Sequence, residues 1–188
     1  MVEYAREWTV RGIVRTMLPL LSVLTAIELV SGLVLDTFEA TLLAAPSLLL
    51  LVPVTIGMAG NLGSVLAARL STAFHLGLLS FSPTDDQLAG NAVATVALSV
   101  TVFPLVGVSA WGLTAAVGET GLGLGTVVLI ASLSGLVLAV LAVVVTVLTT
   151  YAAYRHGLDP DDVVVPVVTN VCDVLGVLVL FGVYRVLV

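Results

Sequence analysis

The sequence predicts an all-α integral membrane protein with five transmembrane helices per chain. Three observations predict it. Of the 188 residues, 60% are hydrophobic and only 10% are charged, where a soluble domain carries about 25% charged residues; mean hydropathy is +1.23. The apolar runs far exceed the roughly 9–11 residues of a barrel strand and lack its alternation. Charges and turn residues divide the chain into about five runs of the ~20 residues that a span requires. So few charges could not cover an aqueous surface, which excludes a soluble enzyme, a disordered chain and a nucleic-acid binder. A net charge of −6 with no basic stretch also leaves no electrostatic footprint for a phosphate backbone.

The first run covers residues 13–35. It is too long for a signal-peptide core of about 7–15 residues and it contains Glu28, so it reads as a retained helix. Asp36 and Glu39 then mark a loop. The second run extends over 47–77 and is interrupted by Pro53, Gly57 and Gly60. Residues 80–87 are the most polar stretch in the middle of the chain. The third run, 88–111, contains Pro104, where a kink is expected. A small-residue loop at 118–125 leads to the fourth run, 126–154, and residues 155–159 turn into the fifth, 160–186. No length remains for a soluble domain, so residues 1–188 read as one transmembrane domain without a cytosolic regulatory part. Trp8, Trp111, Tyr151, Tyr154 and Tyr184 fall where an interfacial aromatic belt would lie.

All six basic residues are arginines. With the N-terminus inside, Arg6, Arg11, Arg15, Arg69 and Arg155 fall on the cytoplasmic side and Arg185 alone falls outside. The positive-inside bias therefore predicts an N-in, C-out topology. Five spans rarely enclose a pathway alone, and a homodimer with a twofold axis is the natural completion. The lone Cys172 excludes an intramolecular disulfide and a cysteine-based metal framework. It lies off the polar face of its helix and reads as a packing residue. An acid excess without lysine suits a salt-loving microbe, so the expected location is a prokaryotic cell membrane, of halophilic archaeal type.

Charged groups near mid-membrane cost at least a few kcal/mol, which makes each one a functional candidate. On the fifth run Asp159, Asp162, Pro166, Thr169, Asn170 and Asp173 fall within a sector of about 80°. That is one polar face on an otherwise lipid-compatible helix, as an aqueous path would require. Asp159-Pro160-Asp161-Asp162 is equally a good helix start, with Asp as N-cap and Pro in the first turn. Asp173 has no such explanation, because it lies about 20 Å inside the span with no arginine at matching depth. It must be protonated or bound to a cation, and the cation is the favoured reading. On the second run Pro53, Gly57, Gly60, Ser64, Ala68 and Ser71 align, with Asn61 beside them. Gly-Met-Ala-Gly-Asn-Leu-Gly at 57–63 is rich enough in glycine to loosen the helix and free carbonyls toward a cavity. Close helix packing of the small-xxx-small kind is the competing reading. Glu28 is a second ion contact or a protonated acid bonded to a neighbouring helix. His75 and His156 are placed at the cytoplasmic interface, and two histidines without cysteine partners do not make a zinc site. The lining is carboxylate, amide, hydroxyl and carbonyl oxygen, which suits Mg²⁺, Ca²⁺ or Mn²⁺; monovalent cations stay open on this ground alone.

The stretch Leu-Val-Pro-Val-Thr-Ile-Gly-Met-Ala-Gly-Asn-Leu-Gly-Ser at 51–64, continuing to Arg69-Leu-Ser-Thr-Ala, resembles the second membrane helix of the MgtE-type magnesium transporters and their eukaryotic solute-carrier relatives. Leu158-Asp-Pro-Asp-Asp, Pro166 and Val168-Thr-Asn-Val-Cys-Asp-Val-Leu-Gly resemble the fifth helix, and Leu88-Ala-Gly-Asn-Ala the third. The resemblance implies a dimer with a cation pore on the twofold axis between the second and fifth helices. It carries the pore aspartate onto Asp173, a backbone-oxygen position onto Thr169 and a pore-lining asparagine onto Asn61. The cytosolic magnesium-sensing modules of bacterial members have no counterpart in these residues, so any such gating would come from a separate regulatory subunit.

The resulting expectation is a Mg²⁺ transporter and not an enzyme. Asp173 of each subunit would hold a largely hydrated Mg²⁺, Thr169, Asn170 and Asn61 would shape the path, Asp159 and Asp162 would gather cations at the inner mouth, and Glu28 would contribute a further contact. Two other readings of the same residues are a metal-dependent enzyme acting on lipid head groups and a non-transporting membrane scaffold.

Overall fold

The computed structural model describes residues 9–79, 85–119 and 121–188. Arg6, Trp8 and the 80–84 part of the polar loop lie outside them. The described residues are helical, with no strand among them. The order is α1 (Val10–Asp36), α2 (Glu39–Ala44), α3 (Pro46–His75), α4 (Asp86–Ala116), α5 (Leu124–His156) and α6 (Pro160–Leu187). All but α2 are long and apolar enough to cross a membrane.

Local chemistry sets the ends. The Thr9 hydroxyl accepts from the Gly12 amide at 3.2 Å, and the Asp85 carboxylate accepts from Gln87 and Leu88 at 2.9 and 3.1 Å. Asp159 does the same for the Asp161 amide at 3.0 Å, and Pro160 supplies a first-turn residue whose missing N–H costs nothing there. At the other end of α5, Gly157 adopts φ +66°, a left-handed cap that a side chain would resist. Glu39 departs from expectation: it opens the short helix α2, within what reads in sequence as a loop.

A second correction concerns α3. It runs unbroken from Pro46 to His75, through Pro53 and all of 57–63. The glycines do not loosen the helix; they let another helix approach. A Cβ on Gly63 would strike Val168 and come within 3.2 Å of Cys172 Sγ, and Gly176 of α6 lies against the Ile56 backbone of α3. In a bilayer no hydrophobic force draws helices together, so such small-residue contacts supply the packing. The competing reading of this stripe is the one the structure bears out for Gly63.

α3 and α6 form the central pair, and α5 packs on both. Fully buried Val164, Val168 and Cys172 of α6 meet Ala59 and Ala67 of α3 and Leu138 and Ala142 of α5. α4 joins chiefly through α5, where Phe103 fills the space left by Gly135. α1 stands outside this group, packed mainly on α6 and otherwise exposed, with Leu24 its one fully buried apolar residue among those described. Its C-terminal end is clamped: Phe38 stacks on Phe181 with centroids 3.9 Å apart, and the Arg185 guanidinium sits 4.8 Å above the Phe38 ring. At the same end Ser47 and Thr114 share a 2.9 Å hydrogen bond joining α3 to α4, and the Trp111 indole donates to the Leu122 carbonyl. The opposite end gathers the end of α3 and the start of α6.

Candidate cation site

Asp173 is the fourteenth residue of the 28-residue α6, which puts it about 20 Å from the start of the helix. Its side chain is half-buried, and among the described residues no basic group lies within ion-pair distance of it. A Cβ built on Gly60 would lie 3.0 Å from Asp173 Oδ1, 3.3 Å from Thr169 Cγ2 and 3.9 Å from the Thr169 carbonyl oxygen. Asp173 and Thr169 therefore rest directly on the bare backbone of α3, one helical turn apart on the same face. Glu28 of α1 lies within electrostatic reach of Asp173. Glu28 is itself exposed on α1, and no base of the described residues is paired with either acid.

The other residues expected to line a path fall around this pair. Asn170 is half-buried, and its amide donates to the Pro166 carbonyl at 2.9 Å. Proline at 166 removes the N–H that would otherwise bond the Asp162 carbonyl, leaving that oxygen without its helical partner. Asn61 lies on the exposed edge of α3 with Pro53 and Gly57, and no hydrogen bond joins its side chain to α6 among the described residues. Asp162 is exposed in the first turn of α6. The structure therefore brings Asp173, Thr169 and Gly60 together, and leaves Glu28, Asn61 and Asp162 on exposed surface of the single chain. Cys172 is buried with its sulfur toward Gly63, as a packing residue should be.

One cluster was not anticipated. Ser71 of α3 donates to Asp161 Oδ1 of α6 at 2.5 Å, and His75 Nε2 lies 3.8 Å from Asp159 Oδ1. Sequence reading places His75 at an interface without metal partners. Its neighbours come from a segment more than 80 residues later, and only the pairing of α3 with α6 assembles them. The signal was available: once the second and fifth spans are paired, the residue ending one must meet the residues beginning the other.

A family model described as MgtE, divalent cation transporter, matches residues 52–183, which is well over half of the chain and includes most of both helices of the seam.

Proposed function

The chain belongs to the MgtE family of divalent cation transporters, and on that premise we propose that it carries Mg²⁺ through a homodimer whose pore is lined by α3 and α6 of both subunits. The family is one of transporters and not of enzymes, which sets aside the lipid head-group reading. What carries the proposal is Asp173: a carboxylate in the middle of an apolar helix, unpaired by any base among the described residues, against a glycine that keeps the neighbouring backbone bare. Such a group is protonated or paired with a cation, and in a cation transporter the cation is the favoured partner. In a single chain α3 leaves an edge of Pro53, Gly57 and Asn61 uncovered, and a second copy related by twofold symmetry would close it. Two Asp173 carboxylates would then face each other across the axis.

Mg²⁺ sheds its water reluctantly and is usually held by one or two carboxylates while keeping several waters. A pair of Asp173 side chains suits that mode of binding, with Thr169, Asn170 and Asn61 offering oxygen and amide groups to the hydration shell. Glu28 adds negative charge near the ion, and Asp159 and Asp162 raise the local cation concentration at the mouth. By the arginine bias, that mouth faces the cytoplasm of a prokaryotic cell membrane. In proteoliposomes loaded with a Mg²⁺-sensitive dye, the wild-type chain should admit Mg²⁺ and Asp173→Ala should not. The same substitution should abolish growth rescue of a Mg²⁺-transport-deficient strain. Wild-type flux in Asp173→Ala would falsify the pore assignment, and no flux from the reconstituted wild type would leave the scaffold reading in its place.

A further inference from the structure

We propose that His75, Asp159 and Asp161 form a separate divalent-metal site at the end of the α3–α6 seam, suited to a borderline first-row ion such as Zn²⁺ or Co²⁺ and not to Mg²⁺. One ligand atom from each of the three lies within 4.8 Å of the other two. An ion bound at the ~2.0–2.2 Å typical of zinc with nitrogen and oxygen ligands needs those atoms about 3.3–3.5 Å apart. The 3.8 Å from His75 Nε2 to Asp159 Oδ1 already comes close, and side-chain rotation in these exposed residues covers the remainder.

The orientation of the imidazole points the same way. His75 Nδ1 lies 3.0 Å from the Ser71 carbonyl oxygen, a partner that can only accept, so Nδ1 carries the proton and donates it. In the neutral ring Nε2 is then a bare lone pair, aimed at two carboxylates. With Nε2 unprotonated this arrangement offers a metal three ligand atoms from three residues, and with Nε2 protonated it is an ion pair; the titration below separates the two. A backbone carbonyl fixing the far nitrogen of a histidine is also the usual outer support of a metal ligand. Asp161 is held in turn by the Ser71 hydroxyl at 2.5 Å, and Asp159 by the start of α6. Both supports are built from the chain's own residues. Imidazole with two carboxylates suits zinc-like ions, whereas Mg²⁺ prefers oxygen alone. The site would clip the end of α3 to the start of α6, about 20 Å along the helix from Asp173, and it does not rest on the pore assignment.

The test is Co²⁺ titration of the untagged, purified protein in detergent, read by the visible absorption of the bound ion and by competition with Zn²⁺. Loss of one first ligand should cost at least the roughly tenfold that loss of a supporting group costs. His75→Ala and Asp161→Asn should therefore weaken Co²⁺ binding at least about tenfold, with unchanged size-exclusion profiles. His156→Ala should bind as the wild type does, and a hundredfold excess of Mg²⁺ should not displace the ion. Wild-type protein that shows no absorption band overturns the site and leaves His75 and Asp159 an ordinary ion pair. Binding that survives in His75→Ala, or that is lost in His156→Ala instead, overturns it equally.

Discussion

At the scale of single residues, two glycines on one face of α3 do opposite things. Gly60 keeps the backbone clear beside Asp173, and the atoms that a methyl group would crowd are a carboxylate oxygen and a threonine methyl that can rotate aside. Alanine at this helical position also recovers about 1 kcal/mol of backbone entropy. Gly60→Ala is therefore expected to leave the melting temperature unchanged or slightly raised, while Mg²⁺ flux in proteoliposomes falls severalfold because the carboxylate is displaced. An equal loss of flux and melting temperature would make Gly60 a packing residue only. The placement of Asp173 deep in its helix without a paired base was legible in the sequence; its role is what the flux assay tests. The role of Gly60 was not legible, because a glycine stripe reads alike whether it frees carbonyls or admits a neighbour.

At the scale of elements, the seam between α3 and α6 depends on Gly63 and Gly176, where one helix presses on the other. A methyl group on Gly63 would collide with Val168, which is fully buried and has no room to move. Overpacking of this kind costs about 1–3 kcal/mol. Gly63→Ala should lower the melting temperature in detergent, the opposite sign from Gly60→Ala three residues earlier; a neutral Gly63→Ala would show that the helices are not in close contact. The five long helices were readable from the length of their apolar runs, and their ends were displaced by only a few residues. The α2 turn was not readable, and the His75 cluster becomes readable only once the second and fifth spans are paired. The first is too short for periodicity to register, and the second joins residues that only tertiary packing brings together.

At the scale of the whole molecule, the single chain exposes a polar and small-residue edge that a lipid bilayer would not favour. Pro53, Gly57 and Asn61 lie along it, and a Cβ on Gly57 would meet nothing within 4 Å. A twofold dimer would bring the two copies of this edge together. In a Cys172→Ala background, which removes the lone native thiol, Gly57→Cys is expected to form a disulfide-linked dimer under mild oxidation in membranes. Cysteine at Val140, which faces outward on α5, should remain monomeric on the same gel. Cross-linking at Val140 in preference to Gly57 would place the subunit contact elsewhere.

The clamp of Phe38, Phe181 and Arg185 has a mechanical consequence. It pins α1 at one end, and Glu28 lies ten residues before Phe38, about 15 Å along the helix axis. With so little else packed around α1, the helix is a lever with its fulcrum at the aromatic stack. A swing of a few degrees there would carry the Glu28 carboxylate by roughly 1 Å relative to Asp173 over that arm. The position of Glu28 relative to Asp173 would thereby answer to two rings and a guanidinium at the far end of the span.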